Sequence, residues 1–254
     1  MTENSPFLRW ANIVAFLLTV LVNSLAGSTT LLGGKNTAEI SDANPTLITP
    51  AGYVFAIWGV IYVLLGIFVI VQALPREKGK EYHGKISWLF VLSSGVNIIW
   101  LFLWQFEYLA VSVILMFLLL ASLLAVYLRL DIGKSEVGLR ENLTVHLPFS
   151  TYLGWITIAS IANVSVTLVS VGWDGWGIRP ETWATLIVII ALVIAVLVVV
   201  TRKDIAYGLV VIWAFVGIAV KQSENPNIVT LTQASAIIVF ITLVGSILIS
   251  RLRR

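Results

Sequence analysis

Fifteen consecutive residues, LIVIIALVIAVLVVV from Leu186 to Val200, are all Ala, Val, Leu or Ile. A helix apolar on every side has no face to offer water. In hydrocarbon each backbone N–H and C=O must find a partner within the protein, which leaves a helix or a closed barrel. The alternating apolar and polar pattern of a barrel is missing from this run and from the other apolar segments. Only 11% of the 254 residues are charged and 59% are hydrophobic, whereas a soluble domain carries about 25% charged residues. The chain reads as an integral membrane protein of all-α class.

A hydrocarbon core about 30 Å thick takes roughly 20 apolar residues per helix. Eight spans qualify, at about 10–32, 47–74, 86–106, 108–128, 147–172, 183–201, 205–220 and 229–250. The first, with MTENSPFLR before it and Ser24-Leu25-Ala26 within it, also looks like a signal peptide with a cleavage site. Its apolar run continues to Leu32, long enough to span.

The basic residues choose an orientation. Arg9; Arg76, Lys78, Lys80 and Lys85; Arg129, Lys134 and Arg140; Arg202 and Lys203; and Arg251, Arg253 and Arg254 lie on alternate connections. Lys35, Arg179 and Lys221 are the remaining three of sixteen. The asymmetry predicts a multi-pass protein of the cell membrane with both termini cytoplasmic. Because these residues sit between spans, the net charge of +3 does not point to nucleic acid. The absence of cysteine excludes disulfides and thiolate chemistry.

The link GGKNTAEISDANP, residues 33–45, is rich in Gly, Asn, Asp and Pro, which argues against regular structure. In the loop SVGWDGWGIRPETW, residues 170–183, Trp173, Trp176 and Trp183 read as interfacial anchors, with a lid over a ligand as the alternative. LLAVYLR, Leu123 to Arg129, fits the loose formula for cholesterol contact.

No Asp, Glu, Lys, Arg or His lies well inside a span, so the groups that relay protons, sense voltage or pump ions are missing. His83 and His146 fall at the edges, where an exposed or capped histidine is expected. The spans do contain neutral polar and aromatic groups. Asn97, Trp100 and Trp104 share one face of the third; Trp155, Ala159 and Asn163 share one of the fifth; Trp58 and Tyr62 are a turn apart in the second. At 1.5 Å per residue Trp58 and Trp155 lie deeper than the interface. Flat rings with a few amides are what an uncharged pocket for a planar ligand requires. Helix packing alone also accounts for such stripes.

Three motifs carry a resemblance. TPAGYVFAIWGVIY, residues 49–62, NIIWLFLW, residues 97–104, and YLGWITIASIAN, residues 152–163, resemble the second-, third- and fifth-helix elements of the tryptophan-rich sensory protein and translocator protein family (TspO/MBR). The likeness covers residues 10–176, a five-helix unit 1–176 with a three-helix extension 177–254. It implies a membrane binding or sensory protein for a porphyrin-like or other aromatic ligand, lined by Tyr53, Trp58, Tyr62, Asn97, Trp100, Trp155, Ala159 and Asn163. No obligatory cofactor is implied; a porphyrin or haem-type group enters only as a ligand that the site could bind. The partners expected are a hydrophobic small molecule, the bilayer and a second copy in a homodimer. Transport of a neutral or amphipathic solute, and slow oxidative breakdown of a tetrapyrrole, are the alternatives. For the latter the spans offer no acid, base or metal ligand. Tyr53 and Ala51 replace the family's tryptophan and second proline, and Thr151 replaces its proline before Tyr152.

Overall fold

The computed structural model describes residues 6–252. Arg253 and Arg254, two of the basic residues that set the orientation, and Met1–Ser5 of the candidate signal peptide lie outside the described residues. Eight long helices follow one another: α1 (Pro6–Ser28), α2 (Ile57–Ala73), α3 (Leu89–Gln105), α4 (Leu109–Arg129), α5 (Leu147–Ser170), α6 (Pro180–Arg202), α7 (Ile205–Lys221) and α8 (Pro226–Leu252). Six of the spans are long and apolar enough to cross a membrane; α3 and α7 are shorter apolar helices of 17 residues. That is about 25 Å each, at the lower limit for a span.

The first five helices close a ring. α1 packs on α2 and α3, α3 on α4, α4 on α5, and α5 returns to α2. The last three pack on one another, and α7 lies against α5. Sandwiched between the two groups, α5 is buried along most of its length. Gly154 permits this. A Cβ there would stand 3.3 Å from the Tyr207 Cα of α7, so the two backbones meet almost directly.

The connections at the end opposite the termini, the loop end, depart from expectation. Residues 33–45 are not irregular throughout, since Thr37–Ala43 is a short helix. Its capping box explains it: Asn36 Oδ1 accepts from the Ala38 and Glu39 N–H groups, while Glu39 accepts from the Asn36 N–H. Gln105, at the end of α3, clamps the preceding loop by donating Nε2 to the Leu32 and Lys35 carbonyls, at 3.1 and 2.8 Å. The second span also starts later than predicted. Pro50 and Gly52 keep the chain out of the α-helix; a 3-10 turn covers Gly52–Ala56, and α2 begins only at Ile57. Trp58 is therefore in the first turn of its helix and not deep within it.

At the terminus end both histidines are buried; neither is exposed, and His83 is the capped one of the two alternatives expected. His83 Nε2 lies 3.0 Å from the Glu77 carbonyl, with the Tyr82 ring stacked beside it. Burial, aided by the Arg9 charge, holds its imidazole below the ordinary value of 6.5, against the pull of Glu77. The unfolded chain thus takes up a proton that the folded one resists. The contribution of His83 to stability is complete above about pH 6.5 and falls as the pH drops below it. A lower melting midpoint at pH 5 than at pH 7 is expected, with the difference reduced in His83→Gln. An equal difference in that variant would remove His83 from the explanation.

Tyr127, in the LLAVYLR segment, does not face lipid. It is buried, and its hydroxyl donates to Asp204 Oδ2 at 2.8 Å.

Candidate functional site

Trp58 is the centre of an aromatic cage built by α2, α3 and α5. Its ring stacks on Tyr62, one turn along, with centroids 5.6 Å apart, and lies nearly parallel to Trp100 at 6.4 Å. Tyr152 and Trp155 meet it edge-on at 5.9 and 6.1 Å. Phe55 of the 3-10 turn packs edge-on against Trp155 at 6.0 Å. Offset and edge-to-face contacts of this kind each add about 0.5–1.5 kcal/mol beyond the area they bury.

Asn163 ties the cage to α3 and α4. Trp100 Nε1 donates to Asn163 Oδ1 at 2.8 Å, and Asn163 Nδ2 donates to Ser112 Oγ of α4 at 3.0 Å. An amide at 2% exposure in a membrane bundle needs such partners. Asn97 is fully buried and accepts from Asn23 Nδ2 of α1 at 2.7 Å. The Trp155 Nε1 and the Tyr62 hydroxyl are buried with no hydrogen-bond partner among the described residues. Buried donors are rarely left so, because each forfeits its hydration without return.

A cavity of about 40 Å³ opens beside these rings, lined by Trp58, Trp100, Trp104, Trp155, Ala159 and Asn163. It is roofed from the loop end by Thr37, Ser41 and Pro50. The roof is fastened: Trp104 Nε1 donates to the Thr37 carbonyl at 3.2 Å, Lys35 pairs with Glu107 at 2.7 Å, and Lys221 pairs with Asp42 at 2.8 Å. These surface pairs are each worth under about 1 kcal/mol, so they hold position more than they add stability.

Of the predicted lining residues, Trp58, Trp100, Trp155, Ala159 and Asn163 meet at this cavity, and Tyr62 and Asn97 flank it. Tyr53 is not brought there. It is 46% exposed, and its ring packs edge-on against Trp213 of α7 at 5.4 Å. The roof residues Thr37 and Ser41 lie outside the predicted lining set. The spacing of Asn36 and Glu39, that of a capping box, is the signal that marks their helix.

The last helices hold this site in place. Trp213 Nε1 donates to the Val54 carbonyl at 3.1 Å, and the Ala51 N–H donates to the Gly217 carbonyl at 3.0 Å. The segment that delivers Trp58 is thereby fixed to α7.

The cage joins motifs scattered over a hundred residues, and a family model described as TSPO-like protein matches residues 9–246. The chain belongs to the TSPO-like protein family. The match runs through the last three helices, beyond residue 176 where the motif likeness stopped. No curated protein and no solved structure matches the chain. Membership gives a membrane protein with a general ligand-binding or sensory role. Among the described residues no group of three His, Cys, Asp or Glu could hold a metal ion, so the cage offers stacking faces and neutral hydrogen bonds.

Proposed function

We propose that this member of the family binds a flat hydrophobic ligand, porphyrin-like or otherwise aromatic and bearing hydrogen-bond acceptors, between α2, α3 and α5. The observation that carries the reading is the pairing of stacked indoles with buried donors that lack partners, Trp155 Nε1 and the Tyr62 hydroxyl above all. A cavity of about 40 Å³ holds little more than a water molecule, whereas small-molecule sites measure about 300–1,000 Å³. Binding therefore requires Trp58, half-buried and held mainly by other rings, to swing aside so that the ligand takes its place in the stack. The roof formed by Thr37, Ser41 and Pro50 is the route of access.

Thirteen basic residues on one side against three on the other support the same placement as before: a cell membrane, both termini cytoplasmic, and the cage opening away from the cytoplasm.

The test is a titration of the purified chain with protoporphyrin, followed by quenching of tryptophan fluorescence. Saturable quenching is expected, with affinity reduced about tenfold or more in Trp155→Ala, which loses a ring face and an N–H donor. Quenching that never saturates, or that is unchanged in Trp155→Ala, would sink the reading.

A further inference from the structure

Although consecutive in the chain, α5 and α6 make no extended contact; α6 packs instead on α8 and α7. Between them lies a slot of about 850 Å³, walled by Ile161 and Leu168 on α5 and by Ile187 and Ile194 on α6. It is distinct from the aromatic cage, and no cage residue lines it. Phe117 of α4 and Ile190 of α6, both about half exposed, flank its open side, which faces the bilayer.

Physical chemistry narrows the occupant. The slot opens on the hydrocarbon core, which holds no water to fill it. Left empty, its walls would forfeit van der Waals contacts along their whole length. Hydrocarbon remains. The slot reaches Ile194, fourteen residues along α6 from Pro180, and Thr157, thirteen residues back along α5 from Ser170. At 1.5 Å per residue this is a depth of about 20 Å, past the midplane of a core about 30 Å thick. The hydroxyls of Thr157, Ser160 and Ser165 in its wall each donate to the carbonyl four residues back, so the depth offers no free donor.

Charged groups occur only at the loop end. Lys221 is neutralised there by Asp42 at 2.8 Å. Asp174 forms no ion pair among the described residues; its Oδ1 caps the Trp176 N–H at 2.9 Å. Around it Trp173, Trp176 and Trp183 stand in mutual contact, centroids 5.2–6.1 Å apart. Trp176 is 76% exposed and held at a left-handed φ of 55°, an unusual conformation for so bulky a residue. A carboxylate beside an exposed indole face attracts an ammonium group and repels an anion.

We propose that the slot is a lipid site. It holds the acyl chains of one zwitterionic, ammonium-headed phospholipid from the leaflet at the loop end, with the head against Asp174 and the Trp173–Trp176 pair. The three tryptophans then orient the lipid as well as anchoring the loop.

The test uses the full chain, stripped of lipid in detergent and offered equal amounts of phosphatidylcholine and phosphatidylglycerol with identical acyl chains. Native mass spectrometry reads what is retained. One lipid per chain is expected, with phosphatidylcholine favoured about two- to fivefold. Ile161→Trp and Ile187→Trp combined, which narrow the slot from opposite walls, should reduce retention several-fold while keeping the parent's helical circular dichroism. Asp174→Asn should keep the lipid and lose the preference. The proposal is overturned by no retained lipid, by unchanged retention in the doubly narrowed chain, by a preference for phosphatidylglycerol, or by a lipid-free dimer, which would assign the slot to a second copy.

Discussion

Asp204→Ala is expected to lower the stability of the folded chain by about 3–5 kcal/mol, one of the two largest effects of any single substitution considered. Asp204 is 6% exposed in the two-residue turn between α6 and α7. Its side chain joins three helices. Oδ1 accepts from the Tyr207 N–H at 3.1 Å, capping α7; Ser150 Oγ of α5 donates to it at 2.6 Å; and the Tyr127 hydroxyl of α4 donates at 2.8 Å. Beside it Arg202 pairs with Asp131 at 2.6 Å and stands over the Tyr127 ring. Alanine removes a helix cap, worth about 1 kcal/mol, and leaves the Tyr127 and Ser150 hydroxyls buried without acceptors. For a chain of this size the midpoint of thermal unfolding should fall by roughly 10 °C. Asp204→Asn keeps an acceptor and the cap, so its fall should be less than half as large. If both variants melt alike, or neither melts measurably lower than the parent, the carboxylate is not what joins these helices.

The second expectation concerns Gly217→Leu. A Cβ at this position would meet Val54 Cγ2 at 2.1 Å and Pro50 Cβ at 3.4 Å, so α7 and the segment leading to Trp58 must separate. Overpacking of a tight contact costs about 1–3 kcal/mol, and the hydrogen bonds from the Ala51 N–H and the Trp213 indole are strained with it. A loss of about 3 kcal/mol is expected. Because the same separation displaces Trp58, porphyrin affinity should fall at least about tenfold, which is 1.4 kcal/mol. The combination is diagnostic: a helix that only anchors the chain in lipid could lose stability without altering binding at a cage on the other side of α5. Unaltered affinity in a folded Gly217→Leu chain would show that the cage does not depend on α7.

The membrane class, the helix count and the aromatic stripes were legible in the chain because each depends on local content. Runs without charge must be helical in hydrocarbon, and residues three or four apart share a face whatever packs against it. For the same reason Trp100 could be placed on the stripe of α3 and Asn163 on that of α5, and the 2.8 Å bond between them joins the two stripes. Position along a helix was less legible. Trp58 was placed deep in a span because residues 47–56 are apolar; the 3-10 turn beginning at Gly52 shows that apolar does not mean α-helical when Pro50 precedes and a neighbouring helix supplies the hydrogen bonds. Asp204 was passed over for a different reason. It sits between spans, where a charge is expected to be solvated, and only the convergence of Tyr127, Ser150 and Tyr207 makes it a buried junction.

By itself, then, the sequence determined what each segment must be: apolar rods, basic connections on alternate sides, and indoles and amides at helical spacing. Those properties follow from solvation and from periodicity, which are set within a few residues. Only the tertiary structure decided which stripes meet, that Tyr53 turns to Trp213 while Trp58 turns inward, and that α5 and α6 stand apart around a slot. Such outcomes rest on close approaches between residues far apart in the chain, Gly154 with Tyr207 and Gly217 with Val54 among them, and steric fit of that kind has no trace in local composition.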